Sequence, residues 1–185
     1  VTNNQDQALA VADRLAVLND GRIEQVGPPN EVYERPRNAY VGRFVGDSNL
    51  FEARITEEPV NGTVIAETAI GELSARPGND GLTVGREGVV LVRPETVAFG
   101  DDAEGRANQF LARPESRTYT GEVTEFIFAV EGENADVPVQ VVYPGNVTTD
   151  GSGEAVRIGW DQASAVYFSD LSEGGQTTVG DLKRL

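Results

Sequence analysis

The side chains that most readily do chemistry are scarce in this sequence, and the scarcity narrows the choice. Its 185 residues include no cysteine and no histidine. Disulfides, thiol nucleophiles and Ser-His pairs are therefore excluded, and a zinc or soft-metal site has no ligands. Carboxylates are plentiful, but no D-x-[DN]-x-[DN]-G run supplies a calcium loop, so the scattered Asp-Gly pairs read as turns. The only lysine, Lys183, is followed by Arg184. A phosphate-cradling G-x-x-x-x-G-K-[ST] loop is thus impossible within these residues. Arg93 and Glu95, held apart by Pro94, can be read as a positioned acid and base in a ligand pocket, or as a strand end tied by a local ion pair or hydrogen bond that needs no ligand. Trp160 can serve as an aromatic platform, although a lone tryptophan in a β-rich chain more often fills the core. Asn61-Gly62-Thr63 and Asn146-Val147-Thr148 match the glycosylation pattern and, with no export signal, read as chance.

Composition bounds the partners. Thirty Asp and Glu face 15 basic residues, 14 of them arginine, for a net charge of -15. Surface acidity with almost no lysine resembles that of proteins adapted to concentrated cytoplasmic salt, a halophilic composition, and its plainest meaning is a well-solvated face without a binding role. The arginines form no basic run, which argues against nucleic acid. Anionic lipid would repel such a surface, so any membrane association is expected to pass through a protein partner. No apolar run approaches the roughly 20 residues a membrane helix requires. Hydrophobic residues at 39% suffice for one large or two small folded domains.

Several elements must position these residues. Ala8, Leu9, Val11, Ala12 and Leu15 predict one face of a helix over 5–15, with Thr2 or Asn4 as cap. Ala16 to Leu18 and Arg22 to Val26 flank Asn19-Asp20-Gly21 and predict an antiparallel hairpin. Pro28-Pro29 breaks the second strand; Asn30 is expected to cap a short helix through Tyr33 that Pro36 stops. A further helix is expected over Asn38 to Val45, ending at Gly46.

Beyond Leu50 the pattern becomes β-rich. Runs at Asn49–Ile55, Thr63–Ala69, Gly88–Arg93, Arg117–Val130, Val137–Tyr143 and Glu154–Tyr167 lie between turn residues. Alternation is clear in Val137, Val139 and Val141, and in Val156 and Ile158 leading to Trp160. Short strands at such intervals predict a small barrel or a pair of barrels, with a five-stranded OB-type barrel as the expected class.

The first segment, VTNNQDQALAVADRLAVLNDGRIEQVGPPNEVYERPRNAYVGRFVG, resembles phrase by phrase the last part of an ABC transporter ATPase domain, of the kind found in sugar, polyamine and ferric-iron importers. Several linked phrases in fixed order are more specific than one short motif. The resemblance implies that residues 1–46 are the end of a RecA-like α/β domain. It also places Asn3 where those ATPases carry the switch histidine that reaches the terminal phosphate of ATP, and Asn4 where they carry aspartate. An asparagine amide can donate a hydrogen bond to phosphate but cannot become cationic, so hydrolysis by a working copy would be weakened. The other ATP-handling elements precede the switch residue in the family. Their absence fits a chain that starts late in the domain, and such a chain alone should not turn over ATP.

The resemblance resumes after the boundary expected near Asp47-Ser48-Asn49. Val89 to Val97 (VVLVRPETV) looks like the L-R-P-E phrase of the accessory TOBE domain, and Gly121 to Phe128, Arg157 to Asp161 and Leu50 to Ile55 look like its other strands. Residues 47–185 are accordingly expected to be a TOBE-type, OB-like regulatory domain. The implied whole is the ATP-binding subunit of an ABC importer, using ATP and Mg, paired with a second copy of itself and seated on permease subunits at the cytoplasmic face of the cell membrane. The resemblance supplies no cofactor-binding or metal-binding residue in this chain. A reading from another class also stands: a free-standing β-barrel that senses a small ligand or binds a protein. What precedes Val1 distinguishes the two.

Overall fold

Asp20 and Gly21 turn the chain with φ of 46° and 78°, the two consecutive positive values that a tight hairpin turn demands. The computed structural model, which describes residues 1–2, 5–149, 153–172, 177 and 179–183, places this turn between β1 (Leu15–Asn19) and β2 (Arg22–Gly27), as expected. The preceding helix α1 (Gln5–Val11) is shorter than its apolar spacing suggests. Leu15 fits a helical period with Val11, yet it pairs across the hairpin with Gly27. The ladder claims it, and Val11 is left exposed.

Two helices follow, α2 (Pro29–Glu34) and α3 (Ala39–Phe44). The cap of α2 is Pro28, which makes no side-chain cap bond. Asn30 therefore sits inside the first turn and does not cap it: Pro29, with φ preset and no N–H to satisfy, starts the helix two residues earlier than a cap at Asn30 would. Asn38 caps α3, its Oδ1 accepting from the Val41 N–H at 3.0 Å. The same side chain donates through Nδ2 to Glu24 Oε2 at 2.8 Å. Asn19 Nδ2 donates to the other oxygen, Oε1, at 2.9 Å. Glu24 is thus a buried carboxylate that joins the hairpin to α3. Asn38→Ala removes the cap and a donor to that carboxylate together, and should cost about 2 kcal/mol in urea unfolding; a change below about 0.5 kcal/mol would show that neither bond matters.

The remaining chain runs β3 (Asn49–Ile55), β4 (Val64–Thr68), β5 (Gly71–Pro77), β6 (Glu87–Val92), β7 (Ala98–Phe99), β8 (Asn108–Tyr119), β9 (Val123–Val130), β10 (Val137–Pro144), β11 (Val156–Trp160) and β12 (Ala165–Phe168), then a one-turn helix α4 (Val179–Leu182). Strands β3, β4, β5, β12 and β6 close a barrel in that order. The β5–β12 pair is parallel and the others antiparallel. Numbered by their own sequence order these strands run 1-2-3-5-4 and return to 1, the five-stranded Greek-key barrel of the OB class. Between its fourth and fifth strands the chain inserts a second, antiparallel sheet, ordered β10-β9-β8-β11-β7.

The run expected over Arg117–Val130 is two strands: β8 and β9 turn at 120–122. β5 and the first half of β8 carry no run in the sequence reading. A hydrophobic cluster passes from the barrel interior into the second sheet, joining Phe51, Leu73, Val90 and Tyr167 to Phe126, Phe128, Val139, Ile158 and Trp160. Val139 and Val141 face inward, as does Ile158, so the alternation read from sequence holds.

A second cluster lies outside the barrel. Val17, Val32, Val41 and Val45 pack on Val89, Leu91, Val166 and Phe168. Strands β6 and β12 are therefore apolar on both faces, which is why VVLV and AVYF do not alternate. Gly42 lets α3 approach: a Cβ there would stand 2.6 Å from Leu91 Cδ1. Leu182 of α4 returns to this cluster and is fully buried.

Candidate functional site

Asn3, the residue expected to hold the switch position, and Asn4 lie outside the described residues. Where the described residues do converge is the junction between the N-terminal segment and the barrel, and Arg93 is its centre. It follows β6 and opens a 3-10 turn at Pro94–Thr96. Only 7% of it is exposed. Its Nη1 donates to Gly46 O at 2.9 Å, Asp47 O at 3.0 Å and Ser48 Oγ at 2.6 Å, and Nη2 to Tyr33 O at 3.4 Å. The guanidinium carbon stands 4.2 Å from the centroid of the Tyr33 ring, within cation-π range. Burial lowers its pKa, against the opposing pull of Tyr33, Glu95 and Asp47.

Glu95 reaches the same place by another route. The Tyr33 hydroxyl donates to Glu95 Oε1 at 2.6 Å. Arg93 and Glu95 are thus brought together around Tyr33, and Glu95 also lines a small concavity of about 230 Å³ with Asp102 and Arg106. Arg93 does end a strand, but its ties are not the local ones expected: its partners lie 45 to 60 residues away in sequence. Tyr33, inside the phrase EVYERP, was not singled out from sequence; its aromatic ring between charges was the available signal.

Burial, followed by the hydrogen bond to Glu95, pushes the Tyr33 phenol up to about 12 from its ordinary 10.0. Burial likewise raises Tyr167 to about 12. It also raises Tyr40, helped by the Glu24 and Asp20 carboxylates. In each case the folded state holds the proton more tightly than the unfolded chain. For Tyr33 and Tyr167 the associated stability is intact below pH about 10 and is lost as pH rises toward 12. An ultraviolet titration should show late-ionising phenols, one of which disappears in Tyr33→Phe. Ionisation of Tyr33 at the ordinary phenol value would contradict its geometry.

Two buried asparagines hold the β units to each other. Asn49 Nδ2 donates to Gln140 O at 2.9 Å while its Oδ1 accepts from Gln140 N at 2.7 Å. Asn108 Nδ2 donates to Ser74 O at 2.9 Å and Oδ1 accepts from Ser74 N at 2.8 Å. Each amide copies the two bonds of a neighbouring strand, so the backbone at Gln140 and Ser74 is satisfied. Trp160 is a core residue: fully buried, stacked on Phe51 with centroids 5.8 Å apart and tilted against Phe110 at 5.5 Å. Its position leaves no platform open to a ligand.

Two larger concave surfaces lie elsewhere. One of about 470 Å³ is ringed by Glu52, Glu67, Glu87 and Glu133 with Arg54. Another of about 810 Å³ lies between the N-terminal segment and β5, and carries Arg35, Arg37 and Arg76. Among the described residues no group of three or more His, Cys, Asp or Glu is placed to hold a metal. Nor is any helix among them long and apolar enough to cross a membrane.

The TOBE domain family matches residues 90–168. That span begins in β6 and ends at β12, so it takes in the two strands that close the barrel and the whole inserted sheet. The chain is 30% identical over 173 residues to a protein of Nitrosospira multiformis named spermidine/putrescine import ATP-binding protein PotA, covering 92% of this chain and 47% of that protein. A protein of the same name from Methylococcus capsulatus is 38% identical over 134 residues, covering 71% of this chain and 34% of its own length. The chain thus spans about half, or less, of the length of these relatives. Among solved structures, the cytoplasmic molybdate-binding protein ModG superposes with a TM-score of 0.51 at 15% identity, covering 65% of this chain and 94% of that one. That likeness bears on the fold alone, and it agrees with an OB-type β architecture. By its matching domain and its aligned relatives, the chain is a TOBE-containing homologue of the C-terminal part of the ATP-binding subunits of ABC importers.

Proposed function

We propose that this chain is the C-terminal portion of an importer ATPase subunit that couples ATP binding and hydrolysis to solute uptake. The observation that carries the reading is the alignment over 92% of the chain with one relative, which takes in far more than the TOBE match alone. In this reading residues 1–46 complete the ATPase domain and residues 47–185 form a regulatory and dimerising domain. ATP and Mg belong to the whole subunit, whose phosphate-binding loop these residues do not contain. The subunit works as a pair on the cytoplasmic loops of a membrane permease, peripheral to the cell membrane. The names of the relatives make a polyamine the first solute to test.

The packing supports this division of labour. Arg93 of the barrel grips the exit of α3 and the face of Tyr33, while Val89 and Leu91 share a core with Val32 and Val41. A displacement of the ATPase end would therefore be felt by the barrel, which is what a regulatory domain requires. The coding sequence upstream of Val1 tests the proposal directly. A G-x-x-x-x-G-K-[ST] loop followed by a transporter signature segment is expected there. A start signal at Val1 with neither element upstream would instead favour a free-standing β module.

A further inference from the structure

The arginine-bearing cleft is unlike the rest of this acidic surface. It lies between β2, the end of α2 and β5, with a volume of about 810 Å³, in the range of small-molecule sites. Arg76 enters from β5. Its Nε donates to Ala163 O at 3.3 Å and its Nη2 to Glu34 O at 3.2 Å. Two carbonyls thereby fix the guanidinium plane, and Nη1 has no partner among the described residues. Arg35, the residue after Glu34, is exposed, and its guanidinium likewise has no carboxylate partner among the described residues. Burial lowers the Arg76 pKa, and the neighbouring Arg35 guanidinium lowers it further. Two like charges thus confront each other across the cleft. Arg37 lines the wall beyond, its backbone N–H held by Gln25 Oε1 at 2.8 Å.

Glu31 and Glu34 also line the cleft, and they limit where an anion can sit. Glu31 lies in the first turn of α2, where a negative charge complements the helix start; its Oε2 is 3.6 Å from where a Gly27 Cβ would be, toward the hairpin. Glu34 stands at the exposed end of the same helix. A pair of guanidiniums, one of them pre-oriented, suits a tetrahedral dianion that can accept several N–H bonds at once. The net charge of -15 opposes general anion adsorption, so binding here would have to be local.

We propose that Arg35 and Arg76 form a phosphate-binding site at the junction of the N-terminal segment and the barrel, where a bound phosphate group bridges α2 to β5. Occupancy would tighten a contact that the protein alone makes against charge repulsion. The group could come from inorganic phosphate or from a nucleotide, and the two sources are separable. The test is calorimetric titration of the chain with inorganic phosphate, pyrophosphate and AMP, at constant ionic strength balanced with chloride. Saturable binding is expected, weakened roughly tenfold in Arg35→Gln and unchanged in Arg157→Gln, an exposed arginine on β11. Arg35 has an exposed side chain, so its variant should fold; circular dichroism checks this. Tighter binding of AMP than of phosphate assigns a nucleotide source, and tighter binding of pyrophosphate assigns an inorganic one. Absence of saturation by all three at millimolar concentration, or equal binding by wild type and Arg35→Gln, overturns the proposal.

Discussion

Arg93→Ala should lower the free energy of unfolding by about 3 kcal/mol or more, measured by urea denaturation followed by circular dichroism. The side chain is nearly buried and gives hydrogen bonds to Gly46 O, Asp47 O, Ser48 Oγ and Tyr33 O. Bonds from a charged donor contribute about 1.5–3 kcal/mol each, and an acceptor left buried without a partner costs a similar amount. The four are not additive, because water can reach some of the released carbonyls and Tyr33 can settle into the space. Arg93→Lys should recover little. An ammonium has its three donors on one nitrogen, so it cannot serve both the Gly46–Ser48 acceptors and Tyr33 O while a planar group lies over the Tyr33 ring. If Arg93→Ala cost less than about 1 kcal/mol, Arg93 would be a surface residue in effect and the junction would be held by its apolar cluster alone.

Trp160→Ala should cost about 4 kcal/mol by the same measurement. Trp160 is fully buried on β11 and stacks on Phe51 of β3, so it fills the seam between the inserted sheet and the barrel. Truncation removes apolar contact from both units and leaves a cavity that neither can close independently. Trp160→Phe isolates one part of this. The indole Nε1 has no hydrogen-bond partner among the described residues, so phenylalanine gives up volume but no bond seen there. Its cost should stay below about 2 kcal/mol. Equal losses for the two variants would mean that the indole N–H does have a partner.

These two residues show how unevenly the structure could be read from sequence. The type of Trp160 and the alternation from Val156 and Ile158 placed it in a β core without reference to anything distant. Arg93 was visible as a phrase, but its acceptors lie at positions 33 and 46–48. No local rule connects a strand end to a helix exit that far back in the chain. β5 escaped notice for a related reason. Its inward positions, Leu73 and Ala75, alternate with Ser74 and Arg76, and alanine and serine give little strand signal. The first half of β8 was hidden by Pro114. That proline sits beside a register shift in the β8–β9 pairing, where an irregular ladder tolerates it.

By itself, the sequence determined the features that depend on neighbours along the chain. The Asp20-Gly21 turn requires positive φ, the run from Asn38 to Val45 forms a helix, and the alternating valines of β10 select one face. Absent cysteine and histidine removed whole classes of chemistry, and the linked phrases of both segments carried the family likeness. The tertiary structure alone decided what covers the unbroken apolar runs. VVLV and AVYF announce burial on two sides, but only the closed barrel shows that the core fills one side and α3 with the N-terminal segment fills the other. It also decided that Arg35 and Arg76 meet across a cleft, since charge proximity between residues forty apart is set by packing and leaves no trace in local spacing.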